Sequence, residues 1–151
     1  AEEAYLSRYN LIGRKAPEIV MTDISGESVS LHQLNADYTL LIFWEPGCGH
    51  CKKEIPELYE KLYMKYIDRN LEVFAVFTGS EDEEQEWRDF IGKNELAGWH
   101  HTWDPKHRSK FRFYYNVKTT PMIYLLDKDK KIIAKKLDLD NLIKLMATLL
   151  K

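Results

Sequence analysis

Two cysteines, Cys48 and Cys51, stand three positions apart in the sequence. Thiol–disulfide exchange needs a thiolate that attacks a disulfide and a second thiol close enough to resolve the mixed disulfide. At the start of a helix, the first sulfur meets unpaired N–H groups that stabilise its thiolate. The second sulfur then lies nearly one turn further on, within bonding reach. The spacing therefore predicts a redox-active dithiol in which Cys48 attacks and Cys51 resolves.

The same pair could instead bind a metal ion, because thiolates are common zinc ligands. A structural zinc site needs two further ligands, and the chain has no second cysteine pair. Four histidines, His50, His100, His101 and His107, could in principle complete such a site. A metal-binding or metal-chaperone module therefore stays open as the alternative to a redox enzyme.

The flanking residues predict a strand, a turn and a helix that would place this pair. Residues 38–44 form a continuous β-branched, aromatic and leucine run, which is typical of a strand buried on both faces. The turn Glu45-Pro46-Gly47 follows. Apolar residues at helical spacing then predict a helix over residues 49–68, kinked at Pro56.

The rest of the chain supplies further elements but no repeat or linker. The patterns predict strands over 18–22, 29–31 and 71–77, a helix over 106–115, a hairpin of strands over 122–126 and 131–135, and a closing helix over 140–150. Ser80 and Glu83 have the capping-box form of another helix start. No element is assigned to residues 99–103. This order predicts an α/β fold with a mixed sheet and helices on both faces.

Size and charge limit the possible functions. The 151 residues suit one ordinary domain, and the 44% hydrophobic content suffices for a core. A formal net charge of -2 argues against nucleic-acid binding, which needs a basic excess. No apolar run is long enough to span a bilayer. The acidic start, Ala1-Glu2-Glu3-Ala4, lacks the basic and apolar regions of a secretory signal.

With these elements in place, the segment of residues 43–56, FWEPGCGHCKKEIP, resembles the active-site segment of the thioredoxin superfamily. Within it, the chain is most similar to bacterial TlpA/ResA-like thiol–disulfide oxidoreductases. The resemblance extends to residues 13–17 with the hairpin after them, to the strand and helix of residues 73–92, and to Thr119-Thr120-Pro121 with the strand after it. It implies a thioredoxin-like domain over residues 13–151, with an N-terminal β-hairpin and a central strand–helix insertion. Residues 1–12 are expected to be a lead or tether.

The resemblance also implies roles for individual residues. Cys48 would be the exposed nucleophile and Cys51 the buried resolving thiol. Pro121 would be cis and pack against the disulfide, while Thr120 would offer backbone hydrogen bonds to an extended substrate. Glu54 matches a glutamate that tunes proton transfer in ResA-like proteins. A half-buried carboxylate close to a thiol can accept its proton, although Glu54 could equally be a solvated helix residue.

The dipeptide between the cysteines, Gly49-His50, is similar to that of protein disulfide isomerase. An imidazole beside the resolving cysteine should stabilise the Cys48 thiolate and favour the reduced form. The isomerase has a potential of about −180 mV, so the resemblance implies a reduction potential less reducing than the thioredoxin value of about −270 mV.

Two positions depart from the family pattern. Many relatives have Trp directly before the first cysteine, where this chain has Gly47, and thioredoxin has a buried Asp at the position of Ile42. The first change removes an aromatic ring from the docking surface, and the second shifts the role of proton acceptor towards Glu54. A peroxiredoxin-like peroxidase fits less well, because the residues before Cys48 do not form a Pro-x-x-x-Thr/Ser-x-x-Cys loop.

The resemblance implies partners and a location as well. The partners would be proteins that carry disulfides or dithiols, together with a redox partner that the sequence does not identify. No cofactor and no metal are implied. The location would be periplasmic or otherwise extracytoplasmic, in a bacterial cell envelope. We expect a monomer.

Overall fold

A computed structural model describes residues 8–151. Its strands are β1 (Val20–Asp23), β2 (Ser28–Ser30), β3 (Tyr38–Trp44), β4 (Leu71–Phe77), β5 (His100–Trp103), β6 (Met122–Leu126) and β7 (Ile132–Lys135). Its α-helices are α1 (Gly49–Leu58), α2 (Glu84–Lys93), α3 (Phe111–Tyr114) and α4 (Leu139–Leu149). A π-helical segment covers Tyr59–Tyr63, and a 3₁₀ segment covers Glu81–Glu83.

The described strands form a single mixed sheet in the order β2-β1-β5-β4-β3-β6-β7. Strands β3, β4 and β5 are mutually parallel, while β6 runs antiparallel to β3, and β7 to β6. The hairpin of β1 and β2 joins the other end of the sheet, where β1 pairs antiparallel with β5. The predicted α/β fold with a mixed sheet and an N-terminal hairpin is confirmed.

Strand β3 is buried on both faces, as its continuous apolar run predicted. Leu40, Ile42 and Trp44 pack on the face that carries α1, α2 and α4. Leu41 and Phe43 pack on the opposite face, against α3 and the N-terminal segment. The second face is therefore covered by one helical turn and the chain around the first hairpin. In this way β3 fixes the end from which the cysteine segment emerges.

Strand β5 was not predicted, because two of its four residues, His101 and Thr102, have polar side chains that are nevertheless buried in the core. The buried His101 ring pairs through Nε2 with the Leu96 carbonyl at 2.7 Å. The buried Thr102 hydroxyl donates to the Ala75 carbonyl at 3.0 Å. These hydrogen bonds make burial possible but leave no apolar alternation for a sequence pattern to detect.

The helix predicted over residues 49–68 is wrong in its second half. The α-helical register ends at Leu58, and in the π-helical segment after it Met64 N–H donates to the Tyr59 carbonyl at 2.9 Å. Pro56 lies inside α1, two residues before this change of register. Residues 64–70, between this segment and β4, form turns rather than a further helix.

The helix predicted over residues 106–115 is also too long, since α3 begins only at Phe111. His107 and Lys110 have positive φ angles of 53° and 54°, a left-handed conformation that interrupts an α-helix. The Asp104 carboxylate accepts the backbone N–H groups of Arg108 at 3.0 Å and Ser109 at 2.9 Å. A capped loop therefore replaces the first turns of the expected helix.

Part of the predicted lead packs on the domain. Asn10 is fully buried, and its amide donates to the Tyr114 carbonyl at 2.9 Å. The ring of Tyr9 lies 5.1 Å from the ring of Tyr114, centroid to centroid. Residues 1–7 lie outside the described residues, so the boundary after residue 12 stays a prediction. In the part of the chain that the structure describes, no helix combines the length and apolarity that crossing a bilayer requires.

Candidate active site

Strand β3, a turn and helix α1 place the two cysteines as the sequence predicted. Cys48 is the N-cap of α1, with extended backbone angles of φ −85° and ψ 124°. Its Sγ accepts the backbone N–H of Cys51 at 3.4 Å, so the sulfur takes the place of a capping oxygen. The N–H of Cys48 donates back to the Glu45 carbonyl at 3.1 Å, which closes the turn.

The surroundings of Cys48 favour its thiolate. Burial raises the pKa of this thiol, but hydrogen bonds from the Thr120 side chain, the Cys51 thiol and the backbone N–H groups of Cys51 and His50 outweigh it. The pKa of Cys48 therefore lies below its usual value. These donors include the unpaired N–H groups of a helix start, which is the physical effect expected there.

Cys51 has the opposite environment. Its side chain is fully buried, in the same core cluster as Ile42 and Ile55. Burial raises the pKa of this thiol to about 12, although the backbone N–H of Glu45 acts against the shift. Both cysteines carry free thiols in the structure. At neutral pH the two sulfurs therefore differ strongly in how readily they ionise.

The loop before β6 completes the site from the other side. The Thr120–Pro121 peptide bond is cis, as the resemblance implied. The Thr120 carbonyl oxygen lies 3.2 Å from Cys48 Sγ and accepts a hydrogen bond from the thiol. Residues 72 positions apart in the chain thus meet directly at the nucleophilic sulfur.

A groove of about 440 Å³ runs beside this loop. Half-buried Glu54, three residues after Cys51 on α1, lines it together with Pro121 and Met122. Its other lining residues are Thr119, from the same loop, and Asn116, Lys118, Lys136, Leu137 and Asp138, which the sequence did not single out. The strand position at which thioredoxin has a buried Asp holds Ile42 in this chain, and its apolar side chain is fully buried. Gly49 and His50 are exposed at the start of α1.

The histidines that could have completed a metal site are spread over the molecule. The ring of His100 pairs with the Glu72 carboxylate at 2.8 Å, and buried His101 pairs with a backbone carbonyl. Among residues 8–151, no three His, Cys, Asp or Glu side chains are grouped so that they could hold a metal ion. The geometry around the cysteine pair therefore favours redox chemistry.

Similarity to known proteins agrees with this geometry. The sequence model of the AhpC/TSA family matches residues 12–135. This chain belongs to that family. It is 31% identical to a thiol-disulfide oxidoreductase ResA of Bacillus cereus, over 82% of this chain and 68% of that protein. It is 32% identical to the thioredoxin-like protein YneN of Bacillus subtilis, over 85% of this chain and 79% of that protein.

Solved structures of similar proteins have the same fold. A domain of a possible thiol-disulfide isomerase from Cytophaga hutchinsonii superposes with a TM-score of 0.83 at 37% identity, over 92% of both chains. The thioredoxin domain of a thiol-disulfide oxidoreductase from Bacteroides vulgatus gives a TM-score of 0.81 at 28% identity, over 93% of this chain and 99% of that one. The predicted thioredoxin-like fold and ResA-like resemblance are confirmed, and the chain is a thiol–disulfide oxidoreductase.

Proposed function

We propose that this oxidoreductase exchanges disulfides with protein partners through the Cys48–Cys51 dithiol, with Cys48 as nucleophile and Cys51 as resolving thiol. The observation that carries the proposal is the difference between the two sulfurs. Cys48 is half-buried at a helix N-cap and its pKa is lowered, whereas Cys51 is fully buried and its pKa is raised. A partner's disulfide can therefore reach one reactive thiolate.

In the reducing direction, the Cys48 thiolate attacks one sulfur of the partner's disulfide. The partner's S–S bond breaks, its other sulfur leaves as a thiolate, and a mixed disulfide forms. The Cys51 thiol then gives up its proton and attacks Cys48 Sγ. The partner's second sulfur leaves and takes up a proton, so two electrons have passed to the partner and a Cys48–Cys51 disulfide remains. In the oxidising direction the same steps run backwards.

Nearby residues support both steps. The backbone N–H of His50 helps to stabilise the thiolate that attacks, and exposed Gly49 leaves the sulfur accessible. The Thr120 carbonyl lies beside Cys48 Sγ, and Pro121 is the next residue of the same loop, so this backbone is placed to align an extended partner segment. Glu54 is assigned as the acceptor of the Cys51 proton, because it is the carboxylate of α1 that shares a groove with Pro121.

The relatives support a proposal for the partners and the location. ResA and the isomerase-like and oxidoreductase-like neighbours are named for thiol–disulfide chemistry. We assign protein disulfides or dithiols as partners, and a second redox protein that restores the resting state. By the same resemblance we assign the protein to an extracytoplasmic, periplasmic compartment, where disulfides persist.

A trapping experiment tests the roles of the cysteines. Cys51→Ser leaves Cys48 able to attack but removes the thiol that releases the partner, so mixed disulfides should accumulate and be visible on non-reducing gels. Cys48→Ser is the matched control and should trap nothing. Capture by Cys48→Ser and none by Cys51→Ser would reverse the two roles.

A thiol count separates this function from the metal-binding alternative. Mild oxidation of the metal-free protein should remove two thiols and form a reversible Cys48–Cys51 disulfide. Stoichiometric zinc or copper that stays bound after dialysis would favour the metal-binding module instead.

A further inference from the structure

The carboxylate of Glu83, just before α2, lies beside the turn that leads to Cys48. Glu83 forms a capping box with Ser80, whose N–H and hydroxyl each lie 3.2 Å from Glu83 Oε1. The other carboxylate oxygen, Oε2, points at the turn. A Cβ atom at Gly47 would lie 3.5 Å from it. The residue directly before the nucleophilic cysteine therefore packs against a charged oxygen.

Gly79, a second glycine, also lies close to the Glu83 side chain. A Cβ atom at Gly79 would lie 3.2 Å from Glu83 Cδ and 2.5 Å from the ring of Phe77. A side chain at residue 79 would therefore clash with the Phe77 ring and crowd the Glu83 carboxylate. Glu83 therefore lies close to both Gly47 and Gly79, and one of its oxygens is held by Ser80.

The surroundings of this carboxylate are net negative. Burial and the charge of Glu83 raise the pKa of Glu45, and Glu86 acts in the same direction. The guanidinium of Arg112 opposes the shift. That guanidinium also donates from Nη2 to the Thr78 carbonyl at 2.6 Å. Two carboxylates and one guanidinium therefore act on Glu45, which is itself the carboxylate of the turn that precedes Cys48.

Resting on the proposed function, we propose that Glu83 is a specificity-determining residue that selects partner proteins with Lys or Arg beside their reactive cysteine. A partner segment that reaches Cys48 across the turn passes exposed Gly47, which has no side chain to cover the carboxylate. This place presents a negative charge, and a cationic side chain complements it.

The preference for Lys or Arg should hold on only one side of the partner's cysteine, either the residue before it or the residue after it. Opposite charges at an exposed contact contribute little, so the preference should be about twofold to fivefold. Added salt screens such contacts and should reduce the preference, since the screening length falls to roughly 3 Å at 1 M salt. A preference that came from packing alone would not show this dependence on salt.

The test uses disulfide-linked peptides that differ only in the residue next to the attacked cysteine. Arg is compared with Glu, first on the N-terminal and then on the C-terminal side. We expect the wild-type enzyme to show a higher kcat/KM for Arg in one of these two placements at low salt. The variant Glu83→Gln should lower the Arg-to-Glu ratio there, because Gln keeps the capping box but removes the carboxylate charge next to Gly47.

A neighbouring carboxylate provides the matched control. Glu84 directly follows Glu83 in the chain, and its carboxylate pairs with the Arg88 guanidinium at 2.8 Å. Glu84→Gln should keep the wild-type ratio. An unchanged ratio in Glu83→Gln, or a preference that is equal in both placements and in both variants, would overturn the inference. Failure of the wild-type enzyme to reduce either peptide would instead count against the proposed function.

Discussion

Glu54 faces the groove beside Pro121 and is assigned as the proton acceptor for the resolving thiol. Because burial raises the pKa of Cys51 to about 12, this thiol needs a base before it can attack the mixed disulfide. Glu54→Gln should therefore slow the release of the partner by about tenfold or more, with little effect on the attack by Cys48. Rapid-quench separation of the mixed disulfide from the released product measures the two steps.

Glu57 serves as the control for that variant. It lies on the same helix, is half-buried, and pairs with Lys61 at 3.7 Å. Glu57→Gln should leave both steps unchanged. If Glu54→Gln releases the partner at the wild-type rate, Glu54 is a solvated helix residue and another group accepts the proton.

The cysteine pair and the Thr120-Pro121 loop could be predicted from the sequence, whereas the place of Glu83 beside Gly47 could not. The cysteine spacing and the Thr120-Pro121 motif are local patterns, so they could be read from the chain. Glu83 lies far from Gly47 in the sequence, and only the fold brings its carboxylate beside the turn. Its sequence signal was the capping box with Ser80, which predicted a helix start and said nothing about the active site.

Helix α2 is anchored on the sheet by Trp87. This side chain is fully buried and stacks on Phe77, with ring centroids 4.9 Å apart and planes 6° from parallel. Truncation to Ala removes most of the helix's contact with the core, so Trp87→Ala should lower the free energy of unfolding by about 3–5 kcal/mol. Urea denaturation followed by circular dichroism measures the change.

Two further variants define that effect. Gln85 is exposed on the same helix, so Gln85→Ala should change the free energy of unfolding by less than about 0.5 kcal/mol. Trp87→Phe should retain most of the stability, because it keeps an aromatic ring and removes an indole N–H that has no partner among the described residues. A small loss in Trp87→Ala would show that α2 is held by other contacts.

Elements with strong apolar patterns were predicted well, and those built around polar contacts were not. The run of β3 is apolar on both faces, so it fits a central strand without reference to the rest of the chain. The end of α1 depends on a π-helical register, and the start of α3 depends on the Asp104 carboxylate capturing nearby N–H groups. These two helix boundaries are set by individual hydrogen bonds, which the spacing of apolar residues in the sequence does not predict.

The whole molecule should lose stability in mild acid because of His101. Burial lowers the pKa of this histidine, hydrogen bonding to the Leu96 carbonyl opposes the shift, and nearby His100 adds to it. In the unfolded chain His101 therefore takes up a proton near pH 6.5, whereas in the folded protein it stays neutral to a lower pH. Stability is fully present above that pH. It should fall by up to about 1.4 kcal/mol per pH unit as the pH drops from roughly 6.5 towards the folded pKa.

Denaturation at a series of pH values from about 8 to about 5 measures this loss. His101→Gln should flatten the dependence, since the group that titrates is gone, even if the variant is less stable at every pH. His50→Gln removes an exposed histidine and should keep the wild-type slope. An equal slope in wild type and His101→Gln would assign the acid sensitivity to other groups.

The order of the strands also decides how this sheet behaves when molecules are crowded. The outer strands are β2, three residues long with serine at both ends, and β7, whose pairing with β6 is broken by a shift in register. Short or irregular edges offer little template for strand addition by another copy. The long apolar strands are all interior. During expression or refolding at high concentration, the folded chain should therefore resist edge-to-edge aggregation, in keeping with the expected monomer.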